Sequence, residues 1–248
     1  MDKGYVWFAL NNSTTDYIEL SRTLAKSIKK YNKHNQVCII TDKPVKHKEF
    51  DHVVVLDKDY SKDQEWKLNN EWQVFNLTPF KHTIKLEADM LWTQNTDWWW
   101  YYLWQHDLVF SVDVKDYKDN TVNDITYRKL FVRNNLPNIY NGLTYFRRSI
   151  YAQNFYKLCG DIAQNWKQVR DTILIGCHDP YPSTDVVYAL AYRIIDPTQK
   201  QLINYPWFKF IHNKPAIQGQ DVADLNSYLM PMKIGNKILV GSQRLSRV

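Results

Sequence analysis

Apolar and polar positions alternate in blocks along the first half of the chain. Tyr5–Leu10 is an aromatic-rich apolar run of strand length, and Asn11, Asn12, Ser13 and Thr14 follow as a polar loop. Asp16, with Glu19 three residues on, has the form of a capping box, so a helix is predicted to open there. Tyr17, Leu20, Leu24, Ile28 and Tyr31 then recur at helical spacing, and Arg22, Lys26, Lys29 and Lys33 form a second, basic stripe. Val37–Ile40 is a β-branched run ended by Thr41 and Asp42, and His52–Leu56 is another. This order predicts a parallel sheet with crossover helices. Ligands of such sheets bind at the carboxyl ends of the strands, where Asn11, Asn12, Thr41 and Asp42 would lie.

The pattern continues with a helix at Asn69–Leu77 stopped by Pro79, a short strand at His82–Leu86, an aromatic helix at Trp98–Gln105 and a strand at Leu108–Asp113. Asp113–Pro137 is polar and aperiodic and reads as a long loop. Ile139–Phe146 returns to strand character, Ser149–Lys167 to helix, and Ser183-Thr184-Asp185 opens a further helix through Tyr192 after the rigid turn Asp179–Pro182. Phe208–His212 and Ile238–Val240 read as short late strands. No internal repeat or domain boundary interrupts the 248 residues, so one α/β domain with a C-terminal extension is expected.

Composition narrows the chemistry. The count of 7 glycines, with no G-x-G-x-x-G or Walker pattern, argues against a Gly-rich phosphate loop as the main nucleotide site. No run approaches the roughly 20 apolar residues of a membrane span, and the opening residues turn polar too soon for a signal peptide. Cys38, Cys159 and Cys177 have no metal-ligand spacing and suit a reducing compartment, so a cytoplasmic location is expected. The net charge of +6 is uneven: residues 51–127 carry 7 Lys/Arg against 14 Asp/Glu, and both flanks are basic. An acidic middle suits a cation and basic flanks suit a polyanion.

The sharpest chemical signal is Lys85-Leu86-Glu87-Ala88-Asp89, a buried-looking strand ending in two acids one residue apart. In extended chain, residues i and i+2 face the same side. Two carboxylates so placed repel unless a cation joins them, and Mg²⁺ or Mn²⁺ suits such oxygen ligands. Helix, Leu77–Lys81, strand and Glu87-Ala88-Asp89 together resemble the GT-A glycosyltransferases around their acidic DXD motif. Three further pieces match in order: the opening strand, helix and strand ending in Thr41-Asp42; Asn141–Arg148; and Phe210-Ile211-His212-Asn213-Lys214-Pro215. The resemblance covers roughly residues 5–215. It implies a GT-A-like, Rossmann-like, mostly parallel sheet flanked by helices, with a nucleotide-sugar-binding half at residues 1–92 and an acceptor side with C-terminal extension at residues 93–248. It also implies Mn²⁺ or Mg²⁺ at Asp89, His212 and Glu87, and a UDP-sugar held by Asn11, Thr41, Asp42, Glu87, Asp89 and Lys214. Asp185 would be the base facing an acceptor that lies near Asn141, Arg147 and Arg148. Glu87 departs from the family's usual Asp, which leaves Asp89 the stronger metal ligand.

Basic residues are the clue to the acceptor. The Arg22–Lys33 stripe, Lys43, Lys46, Lys48, Arg128, Lys129, Arg133, Arg147 and Arg148 suit a polyanion. Together with a Lys/Asn/Asp/Tyr-rich, Gly-poor, phage-like composition, they point to hydroxymethylated cytosine in double-stranded DNA as the leading acceptor. A glycan, lipid or protein acceptor is the alternative. A non-catalytic DNA-binding protein and a metal nuclease are rival classes, neither of which needs the strand-helix order upstream of the acids.

Overall fold

The computed structural model describes residues 1–61, 65–112, 114–115 and 128–211. His212, Lys214, Asp113 and the expected strand at Ile238–Val240 lie outside the described residues. Six strands form one sheet: β1 (Lys3–Phe8), β2 (Gln36–Thr41), β3 (His52–Val55), β4 (His82–Leu86), β5 (Leu108–Val112) and β6 (Ile139–Arg147), in the order β3-β2-β1-β4-β6-β5. β1 pairs in parallel with both β2 and β4, and β2 with β3, while β6 runs antiparallel to β4 and β5. The sheet is thus mostly parallel, as the alternating pattern predicts.

The central strands are buried on both faces, which is why they read as continuous apolar runs. Alternation splits β1 between two cores. Val6 and Phe8 join Ile40, Phe110 and Phe146 beneath α5 (Ile150–Gln164) and α7 (Thr184–Ile195). Tyr5 and Trp7 join Ile39, Ile84 and Tyr145 beneath α1 (Tyr17–Tyr31) and α3 (Trp99–Leu103). Asp16 caps α1, its carboxylate accepting from the Ile18 and Glu19 amides. Only this half of the predicted capping box forms, because Glu19 pairs with Arg22 instead.

Four elements differ from expectation. No strand forms over the described residues of the expected Phe208–His212, where Ile211 makes only an isolated bridge to Lys115. The helix expected at Asn69–Leu77 begins as a 3-10 stretch at Lys67–Gln73 and becomes α-helical only in α2 (Val74–Leu77). The expected loop 113–137 contains α4 (Lys129–Arg133), anchored by buried Phe131; five residues are too few for periodicity to register. The helix expected at Ser149–Lys167 breaks at Asn165, and α6 (Trp166–Thr172) follows. All three cysteines are buried and unpaired, and no helix among the described residues is long and apolar enough to cross a membrane.

Candidate active site at the switch point of the sheet

From β1 the chain builds outward to β2 and β3 on one side, then returns to place β4 on the other. The loops leaving β1 and β4 therefore diverge and open a crevice between them, the usual ligand site of an open α/β sheet. A cleft of about 310 Å³ lies there, lined by Phe8, Leu10, Asn12 and Tyr17 from the β1 side and by Glu87, Ala88 and Asp89 from the β4 side. Glu65, Trp66, Lys67, Leu68 and Glu71 form its remaining wall.

Four carboxylates line this cleft. Glu87 is buried and Asp89 half-buried. Glu87 lies against β6: a Cβ added to Gly142 would sit 3.4 Å from Glu87 Oε2 and 3.1 Å from the Phe210 ring. Glycine at 142 is what lets the carboxylate and that ring approach the strand. Glu65 accepts from the Ser13 amide at 2.9 Å, tying the β1 loop to the opposite wall. Trp66, about a third exposed, donates its indole N–H to the Pro182 carbonyl at 3.0 Å, fixing the rim to the approach of α7.

Beneath the wall runs a buried ionic network. Lys85, in the middle of β4, is fully buried and pairs with Glu71. Its ammonium also donates to the Asn141 carbonyl at 3.3 Å. The Asn141 amide N–H donates to Asp185 Oδ1 at 2.8 Å, and Arg128 donates to Asp185 Oδ2 at 2.6 Å. The Arg128 guanidinium also stacks on Tyr140 at 3.4 Å. A charge removed from water is tolerated only when paired and hydrogen-bonded, and each of these ions has its counter-ion.

The structure brings some expected residues together and separates others. Glu87 and Asp89 share the cleft. Asn141 lies behind it, its backbone carbonyl and amide both engaged. Asp185 was expected to face the acceptor as a base or to cap α7. It does neither: both its oxygens are held by Arg128 and Asn141, and it does not line the cleft. Asn11 lies just behind the cleft wall, bonded to Asp16 and the Ile18 amide at the start of α1. Its neighbour Asn12 lines the cleft instead. Thr41 is buried, donating to the Lys43 carbonyl, and Asp42 is exposed; neither lines the cleft.

Arg147 and Arg148 require the plainest correction. β6 is antiparallel to β4, so Arg147 pairs with His82 at the start of β4, whereas Glu87 follows its end. The two arginines thus sit at the opposite end of the sheet from the cleft. Arg147 pairs with Asp107 at 2.7 Å, and Arg148 donates to the Thr78 carbonyl at 2.5 Å. Three of the four residues of the basic stripe are neutralised locally, Arg22 by Glu19 and Glu49, Lys26 by Glu49, and Lys29 by Asp51, while Lys33 is exposed just beyond α1.

The fold is GT-A-like. The galactosyltransferase LgtC, solved in complex with donor and acceptor sugar analogues, superposes with a TM-score of 0.50 at 11% identity, over 77% of this chain and 70% of LgtC. The glycosyltransferase GlyE of Streptococcus pneumoniae TIGR4 aligns with a TM-score of 0.47 at 10% identity, over the whole of this chain but 55% of GlyE. No family model and no curated protein matches the sequence.

Glu87 and Asp89 offer hard oxygen donors at the mouth of an acidic cleft, a donor set that suits Mg²⁺ or Mn²⁺. Among the described residues no third His, Cys, Asp or Glu joins them closely enough to complete a protein-only metal site. A cation there would draw its other ligands from bound phosphate oxygens and water, as Mg²⁺ commonly does. The sequence pattern missed Glu65, Trp66, Lys67 and Glu71. The one available signal was Lys85, a cation between the apolar residues Ile84 and Leu86 of a strand, which demands a buried acid nearby once the strand is central.

Proposed function

We propose that this protein is a glycosyltransferase that moves a sugar from a nucleoside-diphosphate sugar, UDP by preference, onto an acceptor hydroxyl, with a divalent cation at Glu87 and Asp89. The observation that carries this reading is the placement of two adjacent carboxylates in a cleft at the switch point of a GT-A-like sheet. LgtC, whose fold this chain shares, binds donor and acceptor sugar analogues.

The cleft divides the substrate by chemistry. Phe8, Leu10 and Tyr17 offer an apolar and aromatic bed for a nucleoside. Trp66 presents a ring at the rim, suited to the face of a sugar. A diphosphate beside Glu87 and Asp89 would be repelled by both carboxylates unless a cation stood between them. When bound, that cation supplies the Lewis-acid neutralisation that lowers the cost of the departing diphosphate. Glu87 and Asp89 would hold and orient that site, and the resemblance to GT-A glycosyltransferases makes His212, outside the described residues, a further candidate ligand. In transfer, the bond from the anomeric carbon to the diphosphate oxygen breaks and its electron pair leaves with the diphosphate. The acceptor oxygen takes the anomeric carbon and gives its proton to a carboxylate of the cleft. Asp185 acts as a positioning residue, locking the Asn141 backbone behind Glu71 and Glu87.

Of the arginines that suggested a polyanionic acceptor, Arg22, Arg128 and Arg147 are ion-paired and Arg148 lies at the far end of the sheet, so DNA becomes one arm of the test. The test is nucleotide release from a panel of UDP-sugars with Mn²⁺, each with simple sugars and with hydroxymethylcytosine-containing DNA as acceptor. Release from one donor, raised by a sugar acceptor and abolished by chelation, is the expected result. Absence of release and of donor binding across the panel would defeat the proposal.

A further inference from the structure

Six Trp and Tyr rings gather at the end of the molecule opposite the cleft. The turn of α3 exposes Trp98, Tyr101, Tyr102 and Trp104 by 46, 73, 42 and 40%, while Trp99 and Trp100 between them are buried. Tyr205 and Trp207 extend the cluster, with the Trp207 ring 4.7 Å from Trp98 and 5.8 Å from Tyr102. The position is fixed by two strand starts. His82, first in β4, stands 4.9 Å from Trp104, and Lys3, first in β1, lies 5.3 Å above Trp100. The cluster therefore borders the amino-terminal edge of the sheet, and the cleft borders the carboxyl-terminal edge.

Lysines flank these rings. Asn95 donates to the Tyr31 carbonyl at 2.8 Å and the Thr96 amide donates to Asn32 at 2.8 Å, which clamps the end of α1 to the loop entering α3. That end carries exposed Lys30 and Lys33. Of the acids at this edge, Asp107 pairs with Arg147 and Asp97 accepts from Asn35 and Asn95, while Asp2 is exposed beside Lys3.

Large exposed aromatic clusters mark interaction surfaces. Trp and Tyr prefer the boundary between water and hydrocarbon, where the ring is buried and its polar atom stays wet. Lysine is depleted at protein–protein interfaces but is drawn to anionic headgroups. A sugar chain would need a shared flat platform; Tyr205 and Trp207 stack at 16°, but the exposed rings of α3 stand edge-on, Trp98 to Tyr102 at 86° and Tyr101 to Tyr102 at 89°.

We propose that the α3 edge is a peripheral docking surface for an anionic bilayer, with Trp98, Tyr101 and Trp104 among the headgroups and Lys3, Lys30 and Lys33 against the lipid phosphates. The cleft would then face away from the membrane. This surface does not depend on the transferase reading, and its test uses no sugar donor.

The experiment is co-sedimentation of the full chain with phosphatidylcholine vesicles, with and without phosphatidylserine, across a salt series. Partition onto the serine-containing vesicles, weakened by salt and accompanied by a blue shift of tryptophan emission, is expected. Replacing Trp98, Tyr101 and Trp104 together by Ser should reduce partition at least about tenfold. Lys30→Glu with Lys33→Glu should reduce it on the order of tenfold or more, since each surface cation contributes about fivefold. The charge pair lies wholly on the surface and decides the matter if the aromatic variant misfolds. No partition onto anionic vesicles, or partition unchanged by the charge pair, overturns the proposal. So does binding to soluble glycans, or self-association through the rings, in place of vesicle binding.

Discussion

Two rows of charge run through this chain, and the fold treats them oppositely. On α1, Arg22, Lys26 and Lys29 lie along the surface and are matched by Glu19, Glu49 and Asp51. Behind the cleft, Lys85, Glu71, Arg128 and Asp185 are taken out of water and locked together. The first row looks like a nucleic-acid face when read along the helix and proves to be self-neutralised. The second hardly stands out in the sequence, yet it sets the wall against which Glu87 and Asp89 are presented. A row of like charges in a sequence indicates a partner only after its local counter-ions are known; a lone lysine in a strand indicates a network only once the strand is known to be buried.

Breaking the buried row should have the largest effect. Lys85→Met leaves Glu71 charged and unpaired and should cost about 3–5 kcal/mol in urea unfolding, and Lys85→Met with Glu71→Leu should recover most of it. If the double variant is no more stable than the single, the pair does not act as a unit. Asp89→Ala should leave the urea midpoint nearly unchanged while lowering donor turnover at least about a hundredfold, close to 2.7 kcal/mol of transition-state stabilisation.

The surface row should give little. Lys29→Ala removes one exposed pair and should cost about 0.2–1 kcal/mol, with the loss fading at high salt. Arg147→Ala with Arg148→Ala should leave transfer to a sugar acceptor within about twofold of the parent enzyme, since both residues lie far from the cleft; a larger loss confined to acceptor use would return them to the site.

The smallest effect concerns pH. Burial holds His82 below its ordinary 6.5, with Arg147 and Lys81 adding to the shift against Asp2, and burial acts the same way on His106. The unfolded chain thus takes up protons that the folded one resists. Stability is full above about pH 6.5 and falls as the pH drops through that value towards the lowered ones. His82→Gln should flatten this slope in urea midpoints measured across the range, and an unchanged slope would assign it to other groups.

Much of the fold is legible because apolar period and strand order are local signals. His82–Leu86 is bounded in the structure as the pattern bounds it, and Asp16 caps the helix it was expected to cap. What could not be read is pairing across distance. Asp185 opens a helix like an ordinary cap, yet it serves Arg128, 57 residues away. Arg147 lies in β6, the second strand after the acids in sequence, and the antiparallel course of β6 carries it to the other end of the sheet. Strand direction decided that placement, and no residue type announces it.

The central claim is that Glu87 and Asp89 hold a nucleoside diphosphate through a divalent cation. Its most direct test is calorimetric titration of UDP into the wild-type protein and Asp89→Asn, each with Mn²⁺ and with chelator. The account predicts binding by the wild-type chain only when the cation is present, and a loss of at least about tenfold in Asp89→Asn. UDP binding of equal strength in both proteins with chelator, or none in either with Mn²⁺, would contradict it.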